Sequence, residues 1–287
     1  MSKNYAKSKK AKLLHIAQQE QLQYQMLITR YLFERLLYRL SASKYKEKFC
    51  LKGGTLLYAL VKETPRPTLD IDFLGLDFSN EMDNIKNAFI EILSIECEED
   101  GVIFDAKSIV TTELIGNKRY AGIRVSYIAH LDSVRQQMQI DIGFGDIITP
   151  APQNLSYPVF FDELPAPEVY AYSLETVIAE KFHTMIELGN DNSRFKDFYD
   201  TYKILTTRKI DDNTLIDAIL ATFQNRKTIF QENHPLFSEE FIRNPNRQLH
   251  WNSFLRKIKS GSIDFETVVK YITARLQPIY EQLLILN

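Results

Sequence analysis

Cysteine is scarce in this sequence, because Cys50 and Cys97 are the only two among 287 residues. Two cysteines cannot build a disulfide framework, and they cannot hold a metal ion without several histidines beside them. We therefore expect both to be buried thiols. Long apolar runs are missing as well, since no stretch approaches the roughly 18 to 20 apolar residues that cross a bilayer. The N-terminus also lacks the apolar segment of a signal peptide, so we predict a cytoplasmic protein without a membrane partner.

The chain also lacks an excess of charge of either sign. Its 35 lysines and arginines nearly balance 37 aspartates and glutamates, which gives a net charge of −2. This balance excludes a uniformly basic protein that coats nucleic acid, but it leaves local basic patches open. With 45% hydrophobic and 25% charged residues, the composition is that of an ordinary globular protein.

Hydrophobic periodicity divides the chain into four segments. Residues 1–48 predict a frayed basic arm followed by one or two helices, because lysines without acids precede a helical pattern. Residues 49–150 combine a glycine turn with helical and alternating stretches, which predicts an α+β core. Half of the ten prolines lie between Pro150 and Pro167, so we place a linker at 151–172. Residues 173–287 predict an all-helical domain, with helices at about 173–188, 193–206, 212–224 and 263–285.

Two aspartates occupy alternate positions in the run Leu69-Asp70-Ile71-Asp72-Phe73. Alternate residues of a strand project from one face, so both carboxylates would share a side while Leu69, Ile71 and Phe73 turn into a core. Such a pair can hold a metal ion. It can equally be the solvated edge of a half-exposed strand, and the residues alone leave both interpretations open.

A glycine turn precedes the aspartates, at Lys52-Gly53-Gly54-Thr55. Paired glycines at the start of a helix let backbone N–H groups approach an anion, and the positive end of the helix dipole favours a phosphate. The Thr55 hydroxyl adds one donor. The same glycines can instead serve only a tight turn.

A third acid, Asp141, stands between the apolar residues Ile140 and Ile142 in a later alternating stretch. Alone it is weak evidence for a site. Together with Asp70 and Asp72 it would form a carboxylate trio able to bind two divalent cations for phosphoryl chemistry.

Lys181 lies near the centre of an apolar helical stripe, on a helix that Ser173 is suited to cap. An unpaired ammonium is costly to bury, so Lys181 extends to solvent, pairs with a carboxylate, or faces a cleft that holds anionic groups. His183 falls on the opposite face, and we expect it to be solvated. In the next helix Asp197 and Asp200 are suited to complement the N-terminal dipole, and Lys196 is spaced to pair with Asp200.

In this order and spacing, these motifs resemble the AbiEii/AbiGii toxin family of nucleotidyltransferases. That family is a branch of the DNA polymerase β superfamily and includes the MenT toxins. The resemblance runs from about residue 49 to 205 and is specific because it unites a glycine turn, an acidic pair, a late acid and a distal lysine and aspartate element. The matching residues are Gly53-Gly54-Thr55, Arg66-Pro67-Thr68-Leu69-Asp70-Ile71-Asp72-Phe73, Asp141, Ala179-Glu180-Lys181 and Arg194-Phe195-Lys196-Asp197-Phe198-Tyr199-Asp200.

The resemblance implies a polymerase β-like nucleotidyltransferase domain, with a mixed or antiparallel sheet and flanking helices, followed by an all-helical domain. It implies that Asp70, Asp72 and Asp141 bind Mg²⁺ or Mn²⁺, and that Lys181 and Asp197 complete the catalytic set. The expected nucleotide-binding residues are Lys52, Gly53, Gly54, Thr55, Arg66 and Thr68. A nucleic-acid hydroxyl would attack the α-phosphate of an NTP. Family members act as toxins of toxin–antitoxin or phage-defence systems with a co-expressed antitoxin, and some modify the 3′ end of tRNA.

An acid-free stretch between Arg243 and Lys259 interleaves basic and aromatic residues, as a surface for RNA does. The candidate RNA-binding residues are Arg243, Arg247, Trp251, Arg256, Lys257 and Lys259. The alternative is a helix face whose Trp251 and Phe254 lie in a core. We expect transfer to RNA, in particular to tRNA. Transfer to a protein or small molecule, and a nucleotide-binding protein without turnover, stay open as alternatives.

Overall fold

The computed structural model describes residues 4–61, 66–114 and 122–286. The chain forms two compact units, and each unit consists of three segments that alternate along the sequence with those of the other. The first comprises Met1–Ala59, Pro67–Gly145 and Gln153–Ala171, and the second comprises Leu60–Arg66, Asp146–Pro152 and Tyr172–Asn287. The first unit therefore extends across the segment in which the sequence predicts a linker.

A mixed sheet with helices dominates the first unit. Its elements are α1 (Tyr5–Gln19), α2 (Tyr24–Ser41), β1 (Phe49–Lys52), α3 (Gly53–Leu60), β2 (Ile71–Gly75), α4 (Met82–Leu93), β3 (Val102–Leu114), β4 (Gly122–Leu131), β5 (Val134–Gly143), β6 (Gln153–Ser156) and β7 (Glu168–Ala171). The strand order is β3-β4-β5-β2-β1-β7-β6. The pairs β2/β5 and β1/β7 are parallel and the others are antiparallel. The predicted α+β fold with a mixed sheet is confirmed.

Strand burial shows why some strands are visible in the sequence and others are not. In β4 the odd-numbered residues 123–131 are buried, which is the alternation of a strand with one covered face. In β1, by contrast, Phe49, Cys50 and Leu51 are all buried. A central strand covered on both faces does not alternate, so periodicity does not identify β1.

Two expectations about apolar residues are wrong. Leu69 is 80% exposed instead of turning into the core. The reason is that β2 begins at Ile71, so the strand alternation does not extend back to Leu69. Cys97 is only half-buried, whereas Cys50 is buried as expected.

The predicted frayed arm is a helix from Tyr5 onward, and residues 1–3 lie outside the described residues. Ion pairs attach α1 to distant parts of the first unit. Lys9 Nζ lies 2.8 Å from Glu163 Oε1, and Lys10 Nζ lies 2.6 Å from Asp132 Oδ2. Lys9 is buried. The acids that order the helix follow it by more than a hundred residues, so the local sequence shows an excess of lysine and no partner.

The proline-rich segment predicted as a linker contains β6 and β7. These strands pair antiparallel, and the Tyr157 backbone N–H donates to the Pro167 carbonyl at 2.8 Å next to the paired residues. The prolines themselves lie outside both strands, as expected for residues that cannot donate to a sheet ladder.

The described residues of the second unit beyond Tyr172 form helices, as predicted. They are α5 (Leu174–Leu188), α6 (Phe195–Thr207), α7 (Asp212–Asn225), α8 (Glu239–Ile242), α9 (Pro245–Lys257) and α10 (Phe265–Leu286). The Ser173 side chain accepts from the Thr176 N–H, which confirms the predicted cap. His183 is buried against Phe223 instead of solvated, because α7 packs on the face of α5 that carries it.

None of the helices in the described ranges is both long enough and apolar enough to span a bilayer.

Candidate active site

Three carboxylates meet on the sheet of the first unit. Asp72 on β2 and Asp141 on β5 are direct register partners across the parallel pair, and Asp70 comes immediately before β2. One oxygen of each side chain lies within 4.8 Å of an oxygen of the other two, at half-buried positions. Carboxylate oxygens at this spacing are the donor set that hard divalent cations prefer.

The register extends this group into a row across four strands. On β1, Lys52 is the partner of Asp72, and on β4, Arg124 is the partner of Asp141. Laterally paired residues project from the same face of a sheet. The face therefore carries the sequence of charges plus, minus, minus, plus, with the two aspartates in the middle.

Arg124 holds Asp141 through a bidentate ion pair. Its Nε donates to Asp141 Oδ1 and its Nη2 to Asp141 Oδ2, both at 2.7 Å. Hydrogen bonding to Asp141 raises the pKa of Arg124, and the charges of Asp70 and Asp72 add to the effect. Sequence reasoning did not identify Arg124. It occupies a polar position of the alternating strand β4, but only the pairing of β4 with β5 places it at Asp141.

The glycine turn lies directly against the carboxylates. Gly53 has φ +70°, and a Cβ there would overlap the carboxylate of Asp72. A Cβ on Gly54 would lie 2.8 Å from Thr68 Oγ1. Glycine is therefore required at Gly53 both for its left-handed backbone and for the close approach of helix α3 to the acid.

Two threonines hold Asp70. The Thr68 hydroxyl donates to Asp70 Oδ1 at 3.0 Å, and the buried Thr55 hydroxyl donates to the Asp70 carbonyl at 3.3 Å. Thr55 and Thr68 are both predicted to contact the nucleotide. In this structure they hold the backbone and the side chain of Asp70, respectively. A direct role in nucleotide binding stays a prediction for both.

A second cluster of charges lies within the second unit, around Lys181. Its ammonium is 2.8 Å from Asp197 Oδ1 and 2.8 Å from Asp200 Oδ2. Arg194 Nε donates to Asp197 Oδ2 at 2.7 Å, and Arg66 Nε donates to Asp200 Oδ1 at 3.0 Å. Each of the two buried acids therefore accepts from Lys181 and from one arginine.

The ionisation of this cluster is fixed by its own members. Burial lowers the pKa of Lys181, but Asp197 and Asp200 outweigh it and raise the pKa above its usual range. Burial likewise opposes ionisation of Asp197, but Lys181 and Arg194 hold its pKa below the usual range. Both directions mean that Lys181 stays protonated while Asp197 stays ionised.

These contacts decide between the environments that the sequence left open. Lys181 pairs with carboxylates, and its contact with phosphate stays a prediction. The proposed pairing of Asp200 with Lys196 is wrong, because Asp200 binds Lys181 and Arg66 while Lys196 is exposed. Arg66, expected at the nucleotide, has Asp200 as an ion-pair partner.

The basic stretch around α9 is only partly available to a ligand. Trp251 is buried and its Nε1 donates to the Ile263 carbonyl at 2.7 Å, so Trp251 takes the core position that the sequence left open as the alternative to RNA binding. Arg247 lies over the ring of Phe241 and donates to the Asn192 carbonyl. Arg256, Lys257 and Lys259 are exposed and form no ion pair with another described residue.

Comparison with known proteins identifies the family of the chain. The family model for the nucleotidyl transferase AbiEii toxin of the type IV toxin–antitoxin system matches residues 35–271, which is most of the chain. The chain belongs to this family, and it is a nucleotidyltransferase. The resemblance seen in the motifs is therefore confirmed. No protein of curated function is significantly similar to the chain.

Several solved structures are similar to the chain. JHP933 from Helicobacter pylori is 16% identical with a TM-score of 0.49, and the match covers 91% of this chain and 94% of that one. A second H. pylori protein, with a provisional nucleotidyltransferase name, is 16% identical with a TM-score of 0.48 over 93% and 99% of the two chains. The antibiotic-resistance factor ANT(2'')-Ia is 14% identical with a TM-score of 0.39 over 68% and 92%.

Proposed function

We propose that this nucleotidyltransferase is a toxin that transfers NMP from an NTP to RNA, with the 3′ end of tRNA as acceptor, in a reaction that depends on Mg²⁺ or Mn²⁺. An antitoxin encoded alongside would control it, as part of a toxin–antitoxin or phage-defence system. The observation that supports the proposal most is the trio of Asp70, Asp72 and Asp141, gathered beside a glycine turn in a chain of this family.

The donor set of the trio fits a divalent cation. All three residues offer carboxylate oxygen, and one oxygen from each lies within 4.8 Å of the others. Asp70 is oriented by Thr68, and Asp141 by Arg124. A bound cation would supply charge stabilisation at the α-phosphate. Asp70, Asp72 and Asp141 are the residues that would hold it.

The proposed reaction is a substitution at phosphorus. A hydroxyl oxygen of the acceptor forms a bond to the α-phosphorus of the NTP and releases its proton to water. The bond between the α-phosphorus and the bridging oxygen breaks, and pyrophosphate leaves with that electron pair. The chain contributes by placing the carboxylates and by letting the glycine turn approach them closely, where N–H groups at the start of α3 favour an anion.

An RNA acceptor is supported by the exposed cations at the end of α9. Arg256, Lys257 and Lys259 follow one another without an intervening acid and are solvent-exposed. Exposed lysines and arginines bind a phosphate backbone without reading its sequence. They therefore favour a nucleic-acid acceptor over a small molecule.

Labelling with each α-³²P NTP tests the proposal. The purified protein is incubated with Mg²⁺ and total RNA, and in parallel with total cellular protein. We expect label in the tRNA fraction, sensitive to removal of the 3′ nucleotide, and none with Asp72→Asn. Label confined to the protein fraction would redirect the proposal to protein modification. Absence of label in every fraction, with wild-type protein that binds NTP, would indicate binding without turnover.

Growth in cells tests the toxin assignment separately. Expression of the wild-type chain alone should arrest growth, and the Asp72→Asn variant should not. Arrest by both proteins would mean that toxicity does not come from the transfer reaction.

A further inference from the structure

Arg124 raises a question that the family assignment does not answer. It is the residue that meets the third carboxylate in a two-point contact, Nε to Oδ1 and Nη2 to Oδ2, each at 2.7 Å. Its side chain is one-third exposed, while that of Asp141 is 17% exposed. The pair lies at the edge of the trio and not within a hydrophobic core, so stabilisation of the fold is a weak reason for its presence.

The trio itself needs such a partner. Three carboxylates with oxygens within 4.8 Å repel one another, and the repulsion is stronger in a protein environment than in water. Without a cation, the carboxylate of Asp141 would gain by turning away from Asp70 and Asp72. The fork of Arg124 holds both Asp141 oxygens and adds a positive charge at the side of Asp141 that faces β4.

The contact leaves Asp141 able to bind a metal ion. An ionised carboxylate has about four acceptor positions, and the fork uses two of them. One position on each oxygen therefore stays available for a cation at the trio. Carboxylates that ligate metal ions are themselves commonly held by hydrogen bonds of this kind.

We propose that Arg124 is the positioning residue of the cation site: it holds Asp141 in the orientation that the divalent cation requires. The proposal rests on the proposed function, because it assigns Asp141 as a ligand. Arg124 contacts neither nucleotide nor acceptor in this role and acts through Asp141. A lysine cannot replace it, because a point charge does not fix the plane of a carboxylate as a planar fork does.

Arg124→Lys is the informative variant, since it keeps the positive charge and removes the fork. Mn²⁺ binding is measured by calorimetry on the nucleotide-free protein, together with melting curves without metal and with kcat and KM for NTP. We expect a loss of Mn²⁺ affinity of about 10-fold or more. We also expect a lower kcat with little change in KM, and a melting temperature close to that of the wild type. Arg135→Lys, at an exposed position of the neighbouring strand β5, is the matched control.

A double-mutant cycle with Asp141→Asn tests whether Arg124 acts through Asp141. Asp141→Asn alone should weaken Mn²⁺ binding. Arg124→Lys should then have little further effect in the Asp141→Asn background, since coupled residues are not additive. A full additional loss in that background would overturn the proposal. Unchanged Mn²⁺ binding by Arg124→Lys would also overturn it, because the site would then not need the planar fork. Tighter binding would do the same, because it would mean that the guanidinium competes with the cation.

Failure of this proposal is distinguishable from failure of the proposed function. If Asp72→Asn loses Mn²⁺ binding and transfer while Arg124→Lys keeps both, the cation site stands and only the role of Arg124 falls. If Asp72→Asn keeps both, the site itself is misplaced.

Discussion

The two charge clusters of this chain differ in balance and in burial. In the first unit, three carboxylates lie close together at half-buried positions. In the second unit, Asp197 and Asp200 are buried and accept from Lys181, Arg194 and Arg66. The second cluster combines three cations with two acids, whereas the first combines three acids with two flanking cations, Lys52 and Arg124. An excess of acids that the fold maintains is suited to a ligand of positive charge, whereas acids that each pair with two cations are suited to holding elements of the fold together.

This comparison predicts opposite consequences for removal of a charge from each cluster. The largest effect should be on the reaction. Asp72→Asn removes a metal ligand, so transfer should fall by about 10²- to 10³-fold, the loss known for a single electrostatic group at a reacting centre. The free energy of unfolding should change little, because relief of the repulsion with Asp70 and Asp141 offsets the lost attraction to Lys52, the register partner of Asp72 on β1. Labelled-NTP transfer and urea unfolding measure the two quantities.

Asp162→Asn is the matched control for this experiment, since Asp162 is an exposed aspartate of the same unit. It should leave both transfer and stability unchanged. A transfer rate for Asp72→Asn equal to that of this control would remove the trio from the active site.

The next effect should be on stability, in the second unit. Lys181→Met removes one charged donor from each of two buried carboxylates, which keep Arg194 and Arg66. The free energy of unfolding should therefore fall by about 3 kcal/mol, the contribution of two lost charge-assisted hydrogen bonds. Lys196→Met changes the same residue type at an exposed position of α6 and should stay within about 0.5 kcal/mol of the wild type. Equal stability of the two variants would contradict a stabilising role for the ion pairs of Lys181.

Transfer by Lys181→Met has to be measured at a temperature at which the variant is fully folded. The family resemblance implies a contact between Lys181 and phosphate, and such a contact predicts loss of transfer even in the folded protein. Normal transfer by the folded variant would leave Lys181 with a structural role only.

A smaller effect should appear as pH dependence of stability. Lys181 and Arg194 hold the pKa of Asp197 below its usual range against the opposing effect of burial. A folded-state pKa below the unfolded value of about 4 means that Asp197 stabilises the fold above that pH and that this contribution is lost as pH falls below it. Asp197→Asn should therefore flatten the decline in stability between pH 5 and pH 3, measured by urea unfolding. A slope for Asp197→Asn identical to that of the wild type would argue against the Asp197 assignment.

The sequence reveals those parts of the two clusters that depend on local pattern. Asp70 and Asp72 are two residues apart at the start of a strand, and Lys181 lies on the apolar stripe of a helix. The strand and helix periods of the local sequence are therefore enough to identify these residues. Arg124 is different, since its role depends on the register between β4 and β5. Register is set by the whole sheet and not by the residues around Arg124.

The same limit explains what was misjudged elsewhere. The helix α1 is ordered by Glu163 and Asp132, both distant in the chain. Asp200 forms an ion pair with Arg66, which precedes it by 134 residues. Long-range ion pairs leave no periodic signal in the sequence, so the local pattern favours a frayed arm and a pair with Lys196 instead. The fold class was accessible because helix and strand periods are local properties.

The smallest effect should come from the close contact between the glycine turn and the trio. Gly53→Ala places a methyl group on the Asp72 carboxylate and puts a non-glycine residue at φ +70°. The backbone cost alone is about 1 to 2 kcal/mol, and the displaced carboxylate should also weaken Mn²⁺ binding in calorimetry. Gly261→Ala adds the same methyl group where no atom lies within 4 Å, so its stability and Mn²⁺ affinity should match the wild type. If Gly53→Ala lowers stability but leaves Mn²⁺ affinity unchanged, the glycine serves only the turn, and the close approach of α3 to Asp72 has no part in cation binding.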